Sequence, residues 1–349
     1  MREYGAFVIM GSDLPTWVGS LLSRAQVIAP RSLAGSDVSY DIVQAPTDVQ
    51  WDYQTSIGPL KRFLFPPSDQ MLRWNQRNGG PLQIEPVYDE TERVFLAVRP
   101  CDVAGVLVLD RAFAREPEDI YYARRRQHSA LVALACTQPG PNCFCVCAGA
   151  GPFLDHGYDL QLTPLTDVYL VEVGTEKGAS LLRGCESLFK PAPEAAIADR
   201  QRLARETENQ FGEDKAYFAA ALRKITFNRV PDDLWRAMGE LCLGCGGCAF
   251  VCPTCHCFTT ADCGQQSEGC RLRLWDSCLY QAYALEASGH NPRAERGQRV
   301  KARFLHKLSY QFAQKLGAHG CVGCGRCVTA CLGSNDMPAV TARIRRGAL

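Results

Sequence analysis

The sequence has no excess charge of either sign: 38 basic residues face 37 acidic ones, for a formal net charge of +1. That balance removes the electrostatic case for binding nucleic acid and leaves only local patches to consider. No apolar run approaches the ~20 residues that span a bilayer. Residues 2–30 lack the basic start and continuous apolar core of a secretory signal. The expectation is a soluble, cytoplasmic protein with no membrane span. Nucleotide fingerprints are missing too: neither G-x-G-x-x-G after a strand nor G-x-x-x-x-G-K-[ST] occurs. No Ser/His/Asp order and no paired-carboxylate context stands out, so nothing points to hydride transfer or bond breaking by this chain alone.

Cysteine is the opposite case, with 19 in 349 residues. A reducing compartment keeps thiols free, a chain of this length needs no disulfide staples, and the count is odd. Metal–sulfur chemistry is the default explanation.

With 46% hydrophobic residues the chain can bury a real core, and its length suits two domains. The fold class expected is α+β: an α/β domain over 1–190, then a mostly helical domain over 191–349 that carries a two-cluster ferredoxin module. The Pro-rich "KPAPEA" at 190–195 marks the boundary. Runs such as "AFVIM", "DIVQA", "RVFLAV", "ALVALA" and "VYLVEV" predict strands, and 103–114 predicts a helix. "FLFPPSDQMLRW" (63–74) reads as a loop ending in a helix capped by Ser68. Residues 194–225, 278–288 and 296–317 are helical by pattern, with "GHNP" at 289–292 as a break.

The motif at 242–252 recurs at 321–331. Cys242-x2-Cys245-x2-Cys248-x3-Cys252-Pro253 matches the bacterial ferredoxin run, and Cys321-x2-Cys324-x2-Cys327-x3-Cys331 is its second copy. Three thiolates two residues apart wrap a tight loop around one corner of a cubane, and Gly246 and Gly325 relax the backbone there. The fourth cysteine sits on the next turn and points to the neighbouring cluster. One [4Fe-4S] cluster is therefore assigned to Cys242, Cys245, Cys248 and Cys331, and the other to Cys321, Cys324, Cys327 and Cys252. Zinc is the competing metal, since CxxC pairs also build zinc sites, but two such quartets favour iron and sulfide. The second copy ends in Leu332 where the first has Pro253, a change that removes no ligand.

Eleven cysteines remain. Cys101 in "VRPCD" and Cys136 in "LACTQPGPNCFCVC" fall where strands end, the position at which α/β folds place their sites. With Cys143 and Cys145 they would make a third thiolate quartet for a third [4Fe-4S] cluster; a separate zinc, or buried thiols without metal, are the alternatives. Cys255, Cys257, Cys263, Cys270 and Cys278 form a further group, and Cys185 stands alone. Thiols near the clusters would donate weak S–H bonds to sulfides and tune potentials, with His256 as a further donor; a His-ligated cluster is the sharper alternative. In "RLRLWDSC" (271–278) the arginines are expected to pair with Asp276 and shield the clusters, or else to dock an acidic partner or a phosphate. "YYARRRQH" (121–128) reads as a solvated helix face, and "GQRVKARFLHK" (297–307) as a basic amphipathic helix that packs on the clusters or on an acidic partner.

Together "CLGCGGCAFVCPTCHCF", "RLRLWDSC", "ASGHNPR", "HKLSY" and "CVGCGRCVTAC" resemble the family formed by sulfhydrogenase beta subunits and the A-type iron–sulfur subunits of anaerobic sulfite reductases. "VRPCDVAGVLVLDRAF", "YYARRR" and "CFC" extend the resemblance to the N-terminal half, where Cys101, Cys136, Cys143 and Cys145 match the family's set. Cys147 and Leu332 depart from the family pattern, and Cys147 leaves open which of the 143, 145 and 147 thiols binds metal. The resemblance implies a non-catalytic iron–sulfur subunit that carries electrons between a catalytic partner and a flavin/NAD(P)-binding subunit. The catalytic partner would be the large and small subunits of a [NiFe] hydrogenase, a sulfite reductase, or a heterodisulfide-reductase-like module. Reduction of a sulfur species by the chain itself is the enzymatic alternative.

Overall fold

A computed structural model describes residues 4–76, 79–211 and 218–349. β1 (Ala6–Met10), α1 (Leu14–Leu22), β2 (Gln26–Ser32) and β3 (Val38–Ile42) open the chain. After β4 (Ser68–Asn75) and β5 (Gln83–Pro86), β6 (Arg93–Val98) leads through α2 (Pro100–Phe113) and α3 (Ile120–Gln127) into β7 (Ser129–Leu134). β8 (Leu160–Pro164), β9 (Val168–Val173), the short α4 (Glu176–Ser180) and β10 (Lys190–Pro191) complete this half. Apart from β4 and β5, these strands form one sheet in the order β10-β1-β9-β8-β7-β6-β2-β3. Its centre, β2-β6-β7-β8, is parallel, and the flanking pairs are antiparallel. The "SALVAL" of β7 is buried at every position, as a parallel strand covered on both faces requires.

The second half begins with α5 (Glu194–Asn209), α6 (Phe218–Thr226) and α7 (Asp232–Leu241). The helical pattern expected over 194–225 thus spans α5 and most of α6, and its stretch 212–217 lies outside the described residues. α8 (Gly247–Phe250) precedes a hairpin of β11 (Phe258–Gly264) and β12 (Glu268–Trp275). α9 (Arg296–Leu308), α10 (Tyr310–Leu316), α11 (Arg326–Ala330) and α12 (Met337–Arg346) close the chain. Phe218, Leu222, Trp235, Met238, Phe304 and Val340 pack α6, α7, α9 and α12 into a second core.

Several expectations are corrected. Residues 68–75 form a strand, not a capped helix. Pro66 and Pro67 hold the entry extended, and the Pro67 carbonyl accepts the Trp275 N–H at 2.9 Å. β4 then pairs with β12 along its length, and this pairing outweighs the capping potential of Ser68. Residues 278–288 contain only a 3-10 turn at Gln281–Ala284, because the segment wraps the first thiol loop: the Tyr280 hydroxyl donates to the Cys245 carbonyl at 3.2 Å. The arginines of "RLRLWDSC" do not pair with Asp276. Arg271 binds Asp262 at 2.7 Å across the hairpin, while Arg273 is fully buried against Asp69 and Asp119. The C-terminal half, which holds α5 to α12, therefore also carries a hairpin that was not expected. Nor is 121–128 wholly a solvated face, since Arg125 is buried on Asp69.

β11, β12, β4 and β5 form a second sheet, four-stranded and antiparallel, with two strands from each side of residue 190. Asp69 is its anchor, held by Arg125 at 2.6 Å and Arg273 at 2.7 Å, with all three side chains out of water. A buried charge stripped of its partner is costly, about 3–5 kcal/mol. Asp69→Asn leaves Arg125 with Asp89 and Arg273 with Asp119, so chemical denaturation is expected to show a loss at the lower end of that range, about 3 kcal/mol; a change within about 0.5 kcal/mol, typical of a surface site, would contradict the anchoring role.

Candidate iron–sulfur centres

The first cavity is lined by Cys242, Cys245, Cys248 and Cys331, with Leu243, Leu332 and Arg303 beside them. The chain leaves α7 directly into Cys242, turns through left-handed Gly244 and Gly246, and places Cys248 on α8. Cys331 arrives from the far copy at the end of α11, so the structure brings together the thiols of the crossed assignment. The Arg296 guanidinium fixes the Cys242 carbonyl at 2.9 Å, and the Asn335 N–H donates to the Cys331 sulfur at 3.2 Å. Burial pushes the Cys248 thiol up to about 11 against the pull of Arg303. Cys245 is exposed and Leu332 is 88% exposed, which puts this cavity at the surface.

Cys321, Cys324 and Cys327 lie near one another and near Cys252, close enough for their charges to interact. Burial raises the first three, whereas Cys252 is drawn down by hydrogen bonding from Cys255 and by the charges of Lys307 and Lys61. Lys307 Nζ stands 3.3 Å from the Cys252 sulfur and donates to Thr254 Oγ1 as well. Burial works against its ammonium, yet Cys252, Cys255 and Cys321 keep it charged.

The third cavity is lined by Cys101, Cys136, Cys143 and Cys145, and by Cys324 and Gly323 of the second set. Cys101 sits in the first turn of α2 just beyond β6, and Cys136 two residues beyond β7, so two adjacent parallel strands deliver both thiols to one edge. Burial, then the Asp102 carboxylate, raises the Cys101 thiol. Cys147 is exposed and does not line the cavity. Gly323 has no room for a side chain: a Cβ there would lie 2.5 Å from the Cys145 Cα, and its φ is +64°. The Phe144 N–H donates to the Gly323 carbonyl at 2.8 Å, so the loops of the two sets touch backbone to backbone.

Buried cations stand beside the thiols: Lys61, Arg99 and Arg326 were not foreseen from the sequence, while Arg303 and Lys307 belong to the basic helix expected to pack on the clusters. Arg299, Arg303 and Lys307 recur every fourth residue of α9 beside Val300, Phe304 and Leu308, a periodicity that puts them on the packed face. Arg326 pairs with buried Asp102 at 2.7 Å. Arg99 Nε, Arg303 Nε and Arg326 Nη1 are buried with no hydrogen-bond partner among the described residues. Unpaired buried donors of this kind beside thiol-lined cavities fit an anionic iron–sulfide group with thiolate ligands. Among the described residues no three His, Cys, Asp or Glu side chains converge to hold a single metal ion. Of the other sulfurs, Cys185 packs in the core of the large sheet, and Cys263 and Cys270 face each other across β11 and β12. His256 Nδ1 lies 3.1 Å from the Thr254 carbonyl, and its ring meets Phe113 edge to face. No described helix is long and apolar enough to cross a membrane.

Residues 241–334 match the family model of a 4Fe-4S dicluster domain. Over 313 residues the chain is 30% identical to sulfhydrogenase 2 subunit beta of Pyrococcus furiosus, across 89% of this chain and 90% of that protein.

Gly323→Ala tests the contact between the second and third cavities. Overpacking of this kind costs about 1–3 kcal/mol, and the left-handed backbone adds to it. The variant is expected to melt lower and to retain less iron than the parent; unchanged melting and iron would mean that the two loops are not in register contact.

Proposed function

The chain belongs to the sulfhydrogenase beta-subunit family and is an iron–sulfur electron-transfer subunit; from that premise we propose that it relays single electrons between the large and small subunits of a [NiFe] hydrogenase and a flavin/NAD(P)-binding subunit. Cys242, Cys245, Cys248 and Cys331 would hold one [4Fe-4S] cluster, Cys252, Cys321, Cys324 and Cys327 a second, and Cys101, Cys136, Cys143 and Cys145 a third. When bound, such clusters supply one-electron redox centres.

The observation that carries this reading is the succession of the three thiol sets. Arg303 lies beside Cys248 of the first set and Cys327 of the second, and Cys324 of the second lines the cavity of the third. The chain's own residues hold the sulfurs at fixed separations, exclude water from most of them and set their electrostatic surroundings. The first set opens to the surface at Cys245 and Leu332, which suits contact with a partner. Nothing in the succession requires an acid or a base.

Iron and acid-labile sulfide counting on the purified chain tests the assignment. About twelve irons are expected for three cubanes and about eight for two. Cys101→Ser should lower the count by about four while the spectroscopic signals of the dicluster module persist. A preparation with zinc and no acid-labile sulfide would overturn the reading, and co-purification with a sirohaem subunit would replace the hydrogenase by a sulfite reductase.

A further inference from the structure

A separate cavity of ≈ 120 Å³ lies behind the second thiol set, with room for on the order of ten waters. A relay subunit has no need of it. Its lining includes Cys257, Cys278, Tyr283, Arg115, Arg303 and Lys307, and no carboxylate is among the lining residues. The β11–β12 pairing builds the sulfur pair. Phe258 opposes Trp275, and the Asp276 N–H continues the ladder to the Cys257 carbonyl at 3.0 Å. Cys278 lies two residues further on and lines the same cavity as Cys257.

The two thiols are unequal. Cys257 is half-buried and shares the cavity with Cys278 and Tyr283, whose hydrogen-bonding groups draw its thiol down towards thiolate. Cys278 is 5% exposed, and its bond to Cys257 keeps its own proton on. A reachable thiolate in front of a protonated buried thiol is the arrangement that attacks a disulfide and then resolves the mixed product.

We propose that Cys257 and Cys278 form a redox-active dithiol that reacts with small anionic disulfides in this cavity, Cys257 as nucleophile and Cys278 as resolving thiol. The Cys257 thiolate forms a bond to one sulfur of the incoming disulfide as its S–S bond breaks and the first thiolate leaves. The Cys278 sulfur then bonds to Cys257 and expels the second thiolate, which takes the Cys278 proton. Two protein thiols are oxidised and one disulfide is reduced to two thiols. The cations around the cavity favour the anionic substrate and the leaving thiolate. The proposal rests on Cys252, rather than Cys257, completing the second cluster set.

The test treats anaerobically purified, cluster-loaded protein with oxidised glutathione, an anionic disulfide, or with cystamine, a cationic one, and maps the products by peptide mass spectrometry. Glutathione disulfide is expected to join Cys257 to Cys278 in the parent, ahead of any reaction at exposed Cys147 or Cys263, and faster than cystamine does. Cys278→Ser should trap one glutathione on Cys257, Cys257→Ser should lose both products, and Tyr283→Phe should slow the reaction, with iron content unchanged in all three. Reaction confined to Cys147 and Cys263 overturns the proposal, as does equal reactivity of cystamine. Loss of iron from Cys257→Ser also overturns it, by making Cys257 a ligand, while a low iron count in the parent would fault the relay reading instead.

Discussion

Arg303 is 4% exposed and lies within reach of the charges of Cys248, Cys327, Cys255 and Cys252. A guanidinium held away from water is tenable only beside negative charge. The thiols have the converse problem, because burial alone keeps them protonated and neutral. Each side supplies what the other lacks. The same exchange recurs where Lys307 meets Cys252 and where Arg326, already paired to Asp102, faces Cys324 and Cys101. Folding of these loops is therefore coupled to whatever fills them: filled, the interior charges are balanced, and unfilled, several cations face protonated sulfur.

This dependence explains why the two halves are joined so closely. The third cavity belongs to neither half alone, since the α/β half provides four of its sulfurs and the ferredoxin-type loop provides its wall. The joint is then reinforced by contacts far apart in sequence. Lys61 donates to the Cys255 carbonyl at 2.8 Å and sits 4.2 Å from the centre of the Trp275 ring. Arg111 donates to the Leu316 carbonyl at 3.0 Å. Around them the second sheet draws strands from both halves, with Asp69 and Arg273 at its centre.

What could be read in the sequence was what is locally encoded. Cysteine spacing is local, and the crossed partnership of Cys331 with Cys242 follows from the rule that the fourth cysteine reaches over. Strands β1, β6, β7 and β9 of the large sheet were legible because their apolar runs are short and bounded by turn residues, whereas β2, β8 and β10 were not, and the run at 41–45 meets only the end of β3. Cys101 and Cys136 could be brought together because parallel strands end on the same edge. The hairpin was not legible. Its alternating Arg and Leu residues suggest a wet face, and Asp69, 204 positions earlier, turns Arg273 inward together with Asp119. The helical reading of 68–75 failed for the same reason, since its partner strand lies in the other half. The role of α9 was half visible: its amphipathic character was clear, but the burial of its basic residues depends on sulfur that only the fold brings near.

Gly105 of α2 and Gly323 meet the opposite half with no side chain between: a Cβ on Gly105 would lie 2.7 Å from that of Pro253, and one on Gly323 would strike the Cys145 backbone. At Gly323 backbone packs on backbone and at Gly105 on the Pro253 ring, so neither contact leaves room for a side chain. The second and third sulfur sets are thus held together by close contacts that no added side chain could enter. A swing of one half away from the other would have to break these contacts and the Phe144–Gly323 hydrogen bond.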